Sequence, residues 1–463
     1  MSQRLRRMLV GLAVGSALLA GCSIPVRGTA SPGRGEPVDV TAAQLHITAA
    51  VQGPVDQWVR NALTDLTDFW SRAYPQYFGE PFAPLSGGYF SVDSDNIDES
   101  AYPQTGIGCA RDPVDPEETK DNAFYNPKCD AIAYDRTLLA GLAEHAGRAL
   151  VPIVLAHEFG HAMQARFGFA PDGRSIEDET QADCFAGAWT AWVVAGHAQH
   201  VAIRKPELDD VLTGYLTLSD PVGSDPDDTQ AHGSYFDRVA AFSDGYDKGV
   251  ATCRDDFGAD RVFTDARFST ADDAASNGNA PFGDTLDLVG QTLPKFWGEV
   301  FPSAFSRSFK APKIKGFEGT APACAGGGSR ELGYCPEDRT VYYDEQDLIR
   351  PAYQHIGDWA VATAISLPYA EAARSQLGRS TDDAAATRSA VCLTGWYTAQ
   401  VWGGTYKDIV LLSPGDVDEA VRFLLKYGVS GNVFPNVHAS GFELLRAFRD
   451  GFLQGGSACD VGI

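Results

Sequence analysis

The order and spacing of eight cysteines constrain this chain more than any other feature. Cys335, Cys392 and Cys459 follow Cys129, Cys184 and Cys253 by 206, 208 and 206 residues, and the surrounding residues repeat with them. Ala131-Ile132-Ala133-Tyr134-Asp135 is echoed by Thr340-Val341-Tyr342-Tyr343-Asp344, and Ala182-Asp183-Cys184-Phe185-Ala186-Gly187 by Ala390-Val391-Cys392-Leu393-Thr394-Gly395. His232-Gly233-Ser234 matches His438-Ala439-Ser440, and Phe242 to Tyr246 matches Phe448 to Phe452. Upstream, Phe69-Trp70 pairs with Phe296-Trp297. Chance similarity of two helical segments does not account for four cysteines per half in one order, so the expectation is a tandem duplication. Its boundary falls between Asp255 and Gly283, in a stretch rich in Asp, Ala, Ser, Asn and Gly. The economical pairing is local and repeated: Cys109–Cys129, Cys184–Cys253, Cys324–Cys335 and Cys392–Cys459. The two long-loop bridges would each stabilise by about 3–5 kcal/mol.

An even cysteine count suits an exported chain, and the N-terminus agrees. Arg4, Arg6 and Arg7 precede an apolar stretch from Met8 to Leu18, too short for a membrane span, and then Leu19-Ala20-Gly21-Cys22. That run resembles a bacterial lipobox with Cys22 as the lipidated residue; the competing reading is an ordinary signal peptide with a chance cysteine. Residues 1–21 read as the signal peptide and residues 22–40 as a flexible tether rich in Gly, Pro, Ser and Arg. The expected location is outside the cytoplasm, anchored to the cell membrane through lipid on Cys22. Without residues 1–21, which hold three arginines and no acid, 61 acids face 34 bases, a balance of −27. Such a chain is a poor nucleic-acid binder.

Apolar spacing predicts helices over 61–74, 138–167, 180–194 and 236–249, and short strands at 89–92 and 131–134. The class is α+β with helices dominant. His157-Glu158-Phe159-Gly160-His161 lies in the second of those helices. Residues four apart share a face, so both imidazoles can reach one ion, while Glu158 sits about 100° round, able to touch water on that ion. Phe159 faces the core, and Gly160 leaves room for a close neighbour. A catalytic zinc needs a third protein ligand and an open position. Glu179 is suitably placed for the ligand, and Asp183, one turn on, can accept the outer N–H of a ligand histidine. Glu177 and Asp178 compete, with a solvated acidic helix start as their bland reading.

His157 to Gln164 followed by Glu179 to Gly187, with the later His232-Gly233-Ser234 and the 242–249 stretch, resembles the neutral zinc metallopeptidase family of bacteria, of lipoprotein peptidase type. The likeness covers about residues 90–255, with a degenerate echo in 290–459. It implies a zincin-like fold in gluzincin arrangement, Zn2+ as cofactor, and a protein or peptide substrate. The catalytic domain is then 41–265, with Glu158 as general base and His157, His161 and Glu179 as metal ligands. His232 is either an oxyanion donor or a structural residue near the helix starting at Ser234, its match His438 standing in a copy without the site. Aligning Arg374 with Arg166 puts Ile365, Ser366, Tyr369, Thr387 and Val391 at the places of His157, Glu158, His161, Glu179 and Asp183. Those residues cannot supply the ligand, base and supporting roles, and Pro368 at the place of Gly160 should disturb its helix. Residues 283–463 therefore read as a degenerate pseudo-peptidase repeat that packs on the first copy. The rival readings are a zinc-containing scaffold or binding lipoprotein, which would have no use for Glu158, and a cell-wall peptide amidase using the same residues.

Overall fold

Glycines set how closely the main helices approach. The computed structural model describes residues 37–168, 174–258, 261–434 and 439–462. In the first half come α1 (Pro54–Phe78), β1 (Gly88–Val92), β2 (Ile107–Cys109), β3 (Asp112–Val114), β4 (Ala123–Asn126) and β5 (Ala131–Asp135). Helices α2 (Arg136–Ala146), α3 (Leu150–Phe167), α4 (Ser175–Val194), α5 (Glu207–Leu218), α6 (Tyr235–Lys248) and α7 (Val250–Asp255) follow. A short α8 (Ala271–Ala275) leads to α9 (Phe282–Phe305), β6 (Lys313–Phe317), β7 (Leu332–Cys335), β8 (Thr340–Asp344) and α10 (Arg350–His355). The chain ends with α11 (Asp358–Gln376), α12 (Ala384–Trp402), α13 (Asp416–Phe423) and α14 (Gly441–Gln454). The molecule is thus mixed α+β, mostly helical with small sheets.

A Cβ on Gly187 would fall 1.9 Å from the carbonyl oxygen of Phe242, and one on Gly245 1.8 Å from that of Cys184, so α4 and α6 touch backbone to backbone. In the second half Gly395 and Gly451 stand in the same relation to Phe448 and Cys392 across α12 and α14. The sheets also correspond. Central β5 pairs parallel with β1 and antiparallel with β4; central β8 pairs parallel with β6 and antiparallel with β7. The four disulfides join the four expected pairs. Both expected strands form.

Three expectations on helices need correction. The single helix over 138–167 is two, broken at Gly147, whose φ of 80° leaves the helical region. The helix expected from Thr180 starts at Ser175, which places Glu177, Asp178 and Glu179 all on α4. Pro368 does not end α11, which runs through it. No described helix is long and apolar enough to cross a membrane. Residues 1–21, Cys22 and His438 lie outside the described residues.

Residues of both halves belong to one hydrophobic core, with Phe236 of α6 packed 5.0 Å from Phe452 of α14, centroid to centroid. The halves also cap each other's helices. The first N–H groups of a helix have no partner within it. Those of Tyr235 and Phe236, opening α6, donate to Asp418 of α13 at 3.3 and 2.8 Å. Those of Gly441 and Phe442, opening α14, donate to Asp209 of α5 at 2.8 and 2.9 Å. Ser234 and Ser440 serve the third turn position in each helix. Buried Arg449 adds an ion pair to Asp244 of α6 at 2.6 Å.

Burial pushes the Asp418 carboxyl up to about 7, against the two N–H groups it accepts, from an ordinary 3.8. A carboxyl whose folded pKa lies above its unfolded value keeps its proton in the folded state between the two. Its contribution to stability therefore falls as pH rises from about 4 to about 7. Asp418→Asn, which keeps an acceptor oxygen, should flatten that part of a stability-versus-pH curve. Asp418→Ala should cost about 1–2 kcal/mol near pH 5, measured by denaturant unfolding of the full chain.

Candidate metal centre

Two close helix approaches bring the motif residues together. Gly160 of α3 faces Ala182 of α4 so closely that a Cβ there would lie 2.8 Å from the Ala182 Cα. His157 and His161, flanking that glycine, therefore face Glu179 and Asp183, flanking that alanine. The second approach, α4 on α6, brings Arg238 against Asp183.

His157 Nε2 lies 3.1 Å from His161 Nε2 and 3.1 Å from Glu179 Oε2. His161 Nε2 is 3.4 Å from Glu179 Oε1. One ligating atom from each residue lies within 4.8 Å of the others. The opposite ring nitrogens are both engaged. His157 Nδ1–H donates to Asp183 Oδ1 at 2.8 Å, and His161 Nδ1–H donates to Gln164 Oε1 at 2.7 Å. Gln164 is itself oriented by donating to the Asp178 carbonyl at 2.7 Å. The Nδ1–H bonds leave each Nε2 facing the cluster, so that a metal displacing the Nε2 proton would find both rings already oriented. Two imidazole nitrogens and a carboxylate, with no sulfur, could hold a divalent metal ion.

Asp183 is fully buried and accepts from Arg238 Nε at 2.8 Å and Nη2 at 3.0 Å besides His157. Arg238 also donates to the Leu218 carbonyl and stacks over the Tyr215 ring at 5.4 Å. Burial raises the Asp183 pKa, but Arg238 and His157 overcome it and hold the carboxyl below its ordinary value. Burial disfavours a charged His157, yet Asp183 and Glu179 carry its pKa up to about 10. For Glu179, burial is outweighed by the two histidines, which hold it well below the usual range. Without a metal, the charges of Glu179 and Asp183 are thus balanced by the two imidazoles and Arg238.

Glu158 is nine-tenths buried and stands apart from the ligand set. Its Oε2 accepts the Tyr125 N–H of β4 at 2.9 Å, and burial raises its pKa against the pull of His157 and His161. A cavity of about 820 Å³ is lined by His157, Glu158, His161, Glu179, Tyr215 and His232. Strand β4 is an edge strand, and Ala123 to Tyr125 border the same cavity.

His232 lies at this cavity with about half its side chain exposed. Asp220 holds it, accepting the His232 and Gly233 N–H groups at 2.6 and 2.8 Å, with Nδ1 at 3.3 Å. The α6 cap is Ser234 itself. Of the competing acids, Glu177 pairs with Arg174 at 2.9 Å. Asp178 borders the cavity, and burial pushes its carboxyl up to about 6.

In the second half Ile365, Ser366, Tyr369, Thr387 and Val391 are all buried. Ser366 bonds Thr394 at 2.9 Å, and the Tyr369 ring packs on Phe309.

Sequence reasoning missed four supporting residues. Gln164 stands three residues after His161, on one helix face, and spacing could have found it. Arg238, Tyr125 and Asp220 reach the site from distant segments and carry no local signal.

No protein-family model matches the chain, and no solved structure matches it. The chain is similar to the uncharacterized protein Rv2575 of Mycobacterium tuberculosis, at 28% identity over 181 residues, which cover 34% of this chain and 60% of that protein. The uncharacterized protein Mb2605 of Mycobacterium bovis matches over the same shares. The uncharacterized protein YpfJ of Escherichia coli K12 is 26% identical over 159 residues, 30% of this chain and 50% of that protein. The chain thus spans half to three-fifths of the length of these relatives.

Proposed function

We propose that this chain is a zinc-dependent peptidase of the neutral zinc metallopeptidase type, acting outside the cytoplasm from a lipid anchor on Cys22. The observation that carries the reading is the pairing of two roles in one cavity. His157, His161 and Glu179 converge on one point with their outer atoms fixed, and Glu158 stands beside them as a separate carboxylate. A purely structural site has no need of that fourth group.

His157, His161 and Glu179 would hold the ion. Zinc bound there supplies Lewis acidity and makes water nucleophilic near neutral pH. Glu158, with its pKa raised by burial, accepts the proton of the attacking water and delivers it to the leaving amine. The Tyr125 N–H holds the Glu158 carboxylate in place. The edge of β4, apart from the Tyr125 N–H that Glu158 takes, would offer its remaining backbone groups to an extended peptide, as in strand addition. His232, steadied by Asp220 at the same cavity, would donate to the carbonyl oxygen as charge develops on it.

The second half is best read as a duplicated copy whose site was replaced by packing residues. Its role is to brace the first half through the exchanged caps. Glu179→Ala tests the ligand assignment: zinc per chain, by metal analysis of the folded variant, should drop from about one to near zero. Unchanged zinc would move the third ligand to another acid.

A further inference from the structure

Three carboxylates in the second half converge on a small space far in sequence from the histidines. Asp358 opens α11; Asp416 and Glu419 lie in the first turn of α13. They are 8%, 4% and 4% exposed. One oxygen from each lies within 4.8 Å of the others. Each carboxylate gives only one oxygen to the backbone. Ala280 N–H donates to Asp358 Oδ2 at 2.9 Å, Ser413 N–H to Asp416 Oδ2 at 2.7 Å, and Trp359 N–H to Glu419 Oε2 at 2.8 Å. Asp358 Oδ1 is buried and has no hydrogen-bond partner. A buried carboxylate oxygen without a donor is costly unless a proton or a cation meets it, and a cation can meet all three carboxylates at once.

Among the described residues no arginine or lysine forms an ion pair with the three carboxylates. Arg422, whose charge is felt at Glu419, gives its guanidinium to the His355 carbonyl. Asp358 and Asp416 line a cavity of about 340 Å³, which also presents the oxygen-bearing side chains of Ser276, Asn279 and Ser413. The candidate donors are all oxygens, so the matching cation is hard. Three carboxylates from two helix starts, with room for waters, suit the flexible coordination of calcium better than the strict octahedron of magnesium.

We propose that Asp358, Asp416 and Glu419 bind a calcium ion that fastens α13 to the start of α11 and so holds the Asp418 cap on α6. Asp418 lies between two of the ligands in sequence, and α6 carries the Arg238 that supports Asp183. Calcium in the second half would therefore stabilise the site in the first without touching it.

The test uses the full chain stripped of metal with EDTA and titrated with calcium alone. Calcium at roughly 1–5 mM should raise Tm by several degrees in wild type. The same rise should occur in His157→Ala, which lacks the histidine site, and should vanish in Asp416→Asn and Glu419→Gln. Terbium should show luminescence sensitised by Trp359, and excess calcium should quench it. Magnesium should act more weakly. Should the carboxylate variants fail to fold, calorimetric titration of wild type and His157→Ala decides. Absence of calcium binding in both, or a calcium shift that persists in Asp416→Asn and Glu419→Gln, overturns the proposal. The His157→Ala arm separates failure here from failure of the zinc reading.

Discussion

Glu158→Gln should abolish peptide hydrolysis, by about 10²–10⁴-fold or more in kcat, while zinc content stays at the wild-type level. The amide is nearly isosteric and can still accept the Tyr125 N–H, so the fold should be unaffected. What it cannot do is take a proton. Because Glu158 is separate from the cluster of His157, His161 and Glu179, metal retention and turnover should part company. Unfolding midpoint, zinc analysis and peptide cleavage on the same preparation give the three readouts. Wild-type cleavage by this variant would remove Glu158 from the mechanism. Loss of zinc along with activity would instead make it a ligand.

Arg238→Met is the substitution with the largest expected effect on stability. Asp183 and Arg238 are a buried pair, each at most 4% exposed, joined by two hydrogen bonds. Removing one partner leaves an uncompensated buried charge, at a cost of about 3–5 kcal/mol. The same change frees the carboxylate that fixes the His157 tautomer, so zinc affinity should fall about 10–100-fold. A double variant, Arg238→Met with Asp183→Asn, should recover much of the stability because no lone charge remains. It should not recover zinc affinity, since a neutral amide supports the imidazole less well. Denaturant unfolding and competitive zinc titration distinguish the two effects. Recovery of both together would mean that Asp183 matters for packing alone.

Local sequence carried the clustered residues well and their supports poorly. Histidines four apart on a helix must share a face, and an acid after a suitable gap can return to them, so the three proposed ligands could be named from spacing. The cysteine repeat likewise named all four disulfides, because each pair closes within its own half. Gly147 was missed as a helix break, since the apolar pattern continues on both sides of it. Arg238, Tyr125 and Asp220 act across long sequence separations. The exchanged caps of Asp209 and Asp418 were invisible for the same reason. An aspartate near a helix start reads as its own helix's cap, and only the packing of the halves shows it serving another helix.

The most direct test is cleavage of an unbiased peptide library by the full-length protein before and after metal removal. The account predicts cleavage by the protein carrying one zinc, loss after chelation, and recovery on adding about one equivalent of zinc. Protein that binds one zinc at His157, His161 and Glu179 yet cuts no peptide, or that cuts equally well after the metal is gone, would contradict it.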